Sequence, residues 1–145
     1  MLKHILLATD GSAASEHAAK LAVDLARSMH AKLTALYVVD PYPYLAVGEM
    51  STEGLQDYMA SAQQDAAAAH ATVAALCQLG TPVVFSPVVI EDRAVATGIV
   101  EYAKTEAADM VVVGSHGRTG IIRLVLGSTT TKVLADSTMP VLVVR

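Results

Sequence analysis

Residues 110–134 read MVVVGSHGRTGIIRLVLGSTTTKVL, and this stretch decides the fold. Its first four residues, 110–113, are apolar at every position and lack the polar alternation of a half-exposed strand. They predict a central strand of a parallel sheet, buried on both faces. Gly114, Gly117 and Gly120 then make a loop, and a helix is expected to begin at Gly127-Ser128. A strand, a glycine loop and a helix N-terminus together form an arrangement that binds phosphate. Glycines let backbone N–H groups approach an anion, and the first helical turn offers free N–H donors with a favourable dipole. Ser128, Thr129 and Thr130 add hydroxyl donors, and Arg118 adds a charged fork.

Outward from this stretch, strand-like and helix-like patterns alternate. Further β-type runs lie at residues 4–9 (HILLAT), 32–39 (KLTALYVV), 83–90 (VVFSPVVI) and 141–144 (VLVV). After Ser12, a suitable N-cap, Ala18, Leu21, Ala22, Leu25, Ala26 and Met29 recur at the spacing of one helix face. Residues 55–79 form a longer alanine-rich helical pattern that Gly80 stops, and 94–107 and 128–134 supply two shorter ones. Alternating strands and helices predict an α/β domain of three layers, a parallel sheet with helices on both faces. Pro87 removes a ladder donor and assigns its strand to an edge. Residues 40–51, with two prolines and two tyrosines, are the longest irregular stretch.

The chain has 145 residues, a length suited to one domain over residues 1–145. Hydrophobic residues make up 53% and charged residues only 17%, which excludes a disordered chain. The net charge of −4, with no Lys/Arg cluster, argues against a nucleic-acid or anionic-membrane surface. A lone cysteine, Cys77, permits neither an internal disulfide nor a Cys-rich zinc site, and suits a reducing cytoplasm. The apolar run between His4 and Asp10 is too short for a signal peptide, and no run is long enough to span a bilayer. A cytoplasmic protein is therefore expected.

Two common phosphate motifs are missing. No Gly-Lys-Ser/Thr occurs in the chain, so the glycine loop is not a Walker loop. The place after the first strand reads DGSAAS, where a dinucleotide fingerprint would need G-x-G-x-x-G. The spacing that is present, G-x2-G-x9-G-S at Gly114, Gly117, Gly127 and Ser128, resembles the ATP-binding signature of the universal stress protein family. The start HILLATDGS, the order of elements and the ending MPVLVVR extend the resemblance along essentially the whole chain.

That resemblance implies a Rossmann-like fold of the adenine nucleotide alpha hydrolase kind, with a five-stranded parallel sheet of order 3-2-1-4-5. It implies that Asp10 accepts hydrogen bonds from the ribose hydroxyls, a role that suits a carboxylate facing a vicinal diol. It further implies that the backbone at Val39 reads adenine, that Ala8 and Thr9 line the base pocket, and that Gly114 lies near the ribose. Gly117, Arg118, Gly127, Ser128 and Thr129 would hold the phosphates. In a sheet of this order, ligands settle where strands 1 and 4 diverge. Plainer readings stand beside these: Asp10 as a cap of the first helix or its turn, the glycines as turn residues, Arg118 as a solvated side chain. His116 is a candidate contact to phosphate or magnesium.

The implied ligand is ATP with Mg2+, and ADP or AMP would share the adenine and ribose contacts. Donors for phosphate are present, but no general base stands out, so at most slow hydrolysis is expected from a nucleotide-dependent stress or signalling switch. The alternatives are a genuine ATP hydrolase or phosphotransferase, and a nucleotide-independent interaction module. The last strand, Val141–Val144, would expose an edge, and a homodimer pairing this strand with its copy would cover it. A downstream protein partner is also implied, of unspecified identity.

Overall fold

The computed structural model describes residues 1–40, 51–91, 93–117 and 125–145. Arg118, Gly120 and most of the irregular stretch 40–51 lie outside the described residues. In chain order the elements are β1 (His4–Ala8), α1 (Ala13–Met29), β2 (Lys32–Val39), α2 (Thr52–Gln78), β3 (Phe85–Glu91), α3 (Val95–Thr105), β4 (Met110–Gly114), α4 (Ser128–Asp136) and β5 (Val141–Val144). The five strands form one sheet of order β3-β2-β1-β4-β5, and every neighbouring pair is parallel. The expected order is thus observed.

Side-chain alternation along the strands feeds two cores. Ile5, Leu7, Leu33, Ala35 and Val112 turn to one face, where they pack with Ala18, Ala22 and Ala26 of α1 and with Val73 and Cys77 of α2. Leu6, Leu36, Val38, Val111 and Val113 turn to the other, against Ala96, Ile99 and Ala103 of α3 and Val133 of α4. Both faces of β4 are therefore covered, which is why its sequence shows no alternation. Alanines on α1 let that helix seat close to the strands. Cys77 is fully buried, and burial pushes its thiol pKa up despite the opposing charge of Arg27. It behaves as a small core residue.

Pro87 lies on the edge strand β3, as its chemistry demands. The Leu33 N–H donates to the Val84 carbonyl at 2.8 Å, so even-numbered residues of this segment turn their backbone towards β2. Pro87 falls on the outward parity, where a missing N–H breaks no ladder bond. Residues 83 and 84 were expected in this strand but precede it. The Val83 N–H donates to the Cys77 carbonyl at 3.2 Å, which ties Val83 to the end of α2. That helix also begins earlier than its apolar pattern, because Ser51 caps it by accepting from the Gly54 N–H at 2.9 Å. Among the described residues, no helix is long and apolar enough to cross a membrane.

Candidate functional site

At the carboxyl end of β1 the chain turns through Thr9, Asp10 and Gly11. The Thr9 N–H still reaches β2, donating to the Leu36 carbonyl at 3.0 Å. The buried Thr9 hydroxyl donates to Ser15 Oγ at 3.3 Å, which anchors this turn to α1. Asp10 Oδ1 accepts from the Ser12 N–H at 2.9 Å, so the carboxylate does serve the turn before α1. Ser12, not Asp10, is the helix cap, accepting from the Ser15 N–H at 3.2 Å. The second carboxylate oxygen of Asp10 faces the glycine loop. A β-carbon at position 117 would stand 2.7 Å from Asp10 Oδ2.

Close approach, rather than left-handed backbone, explains the motif glycines. Gly11 and Gly80 carry the positive φ values among described glycines; Gly114, Gly117 and Gly127 do not. A β-carbon on Gly114 would come 3.2 Å from the backbone carbon of Ala14, so this glycine lets the first turn of α1 rest on the end of β4. One on Gly127 would come 3.2 Å from the Cα of His116. The Gly127 N–H donates to the Ser115 carbonyl at 2.8 Å, and the Thr130 hydroxyl donates to the Gly114 carbonyl at 2.7 Å. These bonds stitch the start of α4 to the end of β4.

Gly127 caps α4 without any side-chain hydrogen bond. The first internal bond of the helix runs from the Thr131 N–H to the Gly127 carbonyl. The N–H groups of Ser128, Thr129 and Thr130 therefore have no acceptor within the helix and are available to an anion. His116 lies beside them, its Nδ1 2.9 Å from Ser115 Oγ.

These groups border one cleft of about 630 Å³ at the carboxyl ends of β1, β2 and β4. Of the residues singled out in the sequence, Ala8, Thr9, Asp10, Gly114, Gly117, Gly127, Ser128 and Thr129 all line it, as do His116 and Thr130. Arg118 lies outside the described residues. Val39 needs a correction. Its side chain is buried on the opposite face with Tyr37, Ala66 and Ala69, whereas Val38 lines the cleft. The reason is the two-residue period of a strand. Since the Leu36 carbonyl turns towards β1, the backbone of Val38 turns the same way. As β1 ends at Ala8, the N–H and carbonyl of Val38 point past it into the cleft.

The rest of the cleft wall is mostly apolar, with Leu36, Val95, Ile99, Val113, Val125 and Leu126, and Ser15 and Tyr37 also border it. Val95 and Ile99 of α3 were missed in the sequence. Their own helical pattern says that they are buried, but only the topology reveals that α3 roofs the end of β2. No group of three or more His, Cys, Asp or Glu side chains that could hold a metal ion occurs among the described residues.

Comparison with known proteins agrees with this fold. The chain matches the universal stress protein family over residues 1–145. It is similar to universal stress protein MJ0531 of Methanocaldococcus jannaschii, at 33% identity over 146 residues, covering 100% of this chain and 83% of that protein. It is also similar to the solved structure of protein MJ0577 from the same organism, with 27% identity and a TM-score of 0.83 over 99% of this chain and 96% of that one. A universal stress protein crystallised in complex with cAMP aligns at 28% identity and a TM-score of 0.59, covering 99% of this chain and 97% of that one. The chain described here belongs to the universal stress protein family.

Proposed function

We propose that the cleft binds an adenine nucleotide, ATP foremost, and that the protein is a nucleotide-dependent switch in a stress or signalling response. One observation carries this reading: the Asp10 carboxylate, the Gly117 loop and the uncapped start of α4 meet in a single cleft. The main-chain groups of Val38 face the base, and Ala8, Thr9 and the apolar side chains of β2 and α3 enclose it. Asp10 accepts from the ribose hydroxyls. Gly114 keeps the loop close to the ribose, and the N–H groups of Gly117, Ser128 and Thr129 receive the phosphates with Gly127 as their hinge. Arg118, in the same loop of sequence, supplies positive charge. The cAMP complex of a relative supports an adenine nucleotide of this kind. ADP and AMP share the base and ribose contacts.

Magnesium enters with the phosphates. The described side chains form no cluster of three ligands, so the ion is held chiefly by the nucleotide, with the Asp10 carboxylate beside Gly117. Ground-state complementarity of this kind binds ATP without much acceleration of hydrolysis, and the expected turnover is slow. The protein works in the cytoplasm, where Cys77 stays reduced, and its bound form presents a surface to a downstream protein.

The assembly expected is a homodimer through β5. The two sheet edges differ: Pro87 blunts β3, whereas β5 holds half-buried Val141 and Val143 with outward backbone groups open to pairing. Denaturing the purified protein and identifying released nucleotide by chromatography and mass spectrometry tests the binding reading. Stoichiometric ATP supports a binding switch. Recovery of ADP alone, together with magnesium-dependent turnover on the scale of minutes, replaces it with an ATP hydrolase.

A further inference from the structure

We propose that Thr130 is a positioning residue for the phosphate end of the cleft, a role that rests on the nucleotide-binding reading and deepens it. Thr130 is 5% exposed, and its hydroxyl donates to the Gly114 carbonyl at 2.7 Å. A threonine in a helix ordinarily bonds back to the carbonyl four residues earlier, and its neighbour does so: Thr131 Oγ1 donates to the Gly127 carbonyl at 3.0 Å. Thr130 instead reaches out of the helix to the last residue of β4. A hydroxyl has one proton, so in this geometry that proton is committed to Gly114 and is not available to phosphate.

The consequence is one of register. The N–H groups that face the anion come from two segments that are distant in sequence, the loop at Gly117 and the helix start at Ser128. Among the described residues, two bonds hold those segments together: the backbone bond between Gly127 and Ser115, and the side-chain bond of Thr130. The second is the one that a substitution can remove without changing the backbone. Thr130 thus fixes α4 at the height where its first-turn donors and those of the loop converge on the same anion.

The test compares Thr130→Val, which has nearly the same shape but no hydroxyl, with Thr130→Ser, which restores it. Affinities for Mg-ATP and for adenosine are measured by calorimetry on the whole chain. Amide hydrogen exchange is followed in the ligand-free protein. The expected result for Thr130→Val is ATP binding weakened by about tenfold, with adenosine affinity within about twofold of the parent. Exchange is expected to rise across residues 114–117 and 127–131, and Thr130→Ser is expected to recover both properties. Equal losses of ATP and adenosine would overturn the positioning role while leaving the nucleotide site intact. So would ATP loss with unchanged exchange, which is the mark of a direct phosphate donor. A parent protein that binds adenosine and ATP equally weakly would overturn the functional reading itself. Should Thr130→Val fail to fold, Thr130→Ala breaks the same bond with less bulk and carries the same comparison.

Discussion

Asp10 and Gly117 meet across the mouth of the cleft, with a β-carbon at 117 destined to lie 2.7 Å from Asp10 Oδ2. The glycine is there because a carboxylate needs the space, and the carboxylate is fixed from behind by the Ser12 N–H. This contact joins the end of β1 to the loop after β4, the two elements that flank the switch point of the sheet.

Gly117→Ala should therefore separate binding from stability. The atom that must yield is the tip of one side chain rather than backbone, so the fold should lose no more than about 1 kcal/mol. If Asp10 holds the ribose as proposed, the displaced carboxylate loses that contact, and Mg-ATP affinity should fall by about tenfold or more. Calorimetric titration beside urea unfolding reads both quantities.

Gly114→Ala should do the reverse. Its β-carbon would press on backbone atoms of Ala14 at 3.2 and 3.3 Å, and neither strand nor helix yields cheaply. A loss of about 1–3 kcal/mol is expected in urea unfolding. An unchanged midpoint would mean that α1 shifts freely, and would remove the packing explanation for this glycine.

Most of the fold was legible in the sequence because the signals were local and strong. The apolar run at 110–113 and the proline at 87 each have a single physical reading. The face of α1 was legible in part: Ala18, Ala22 and Ala26 are buried, but Leu21 and Met29 are exposed, and Ala19 and Val23 are buried instead. What was not legible depended on parity and on tertiary neighbours. Val39 and Val38 are both apolar residues at the end of one strand, and only the direction of the Leu36 carbonyl tells which of them faces the cleft. The spacing of the glycines pointed to a phosphate loop. It did not reveal that Gly114 serves helix packing, or that Thr130 reaches back to β4.

Arg27 clamps the end of α2. Its guanidinium donates to the carbonyls of Thr81 at 2.9 Å, Leu76 at 3.1 Å and Leu79 at 2.7 Å, satisfying groups that a helix terminus leaves open. Arg27→Lys keeps the charge but loses the fork. It should destabilise the protein by about 1–2 kcal/mol in urea unfolding, with nucleotide affinity unaffected.

His70 should make stability depend on pH. Burial holds its imidazole below the ordinary value of 6.5, against the opposing pull of the Ala35 carbonyl. Its Nε2 is buried with no hydrogen-bond partner among the described residues. Above 6.5 the ring is neutral in both folded and unfolded chains. As pH falls through that value the unfolded chain takes up a proton that the fold resists, so stability declines. The urea midpoint should drop between pH 7 and pH 5, and His70→Leu should flatten that slope. An identical slope in the variant would assign the pH dependence to other groups.

The central claim, that the cleft is an adenine nucleotide site, is tested most directly by titrating nucleotide-stripped protein with Mg-ATP. Saturable binding with one nucleotide per chain, weakened by about tenfold or more in Gly117→Ala, is the predicted result. No binding at millimolar ATP, or binding that Gly117→Ala leaves unchanged, would contradict it.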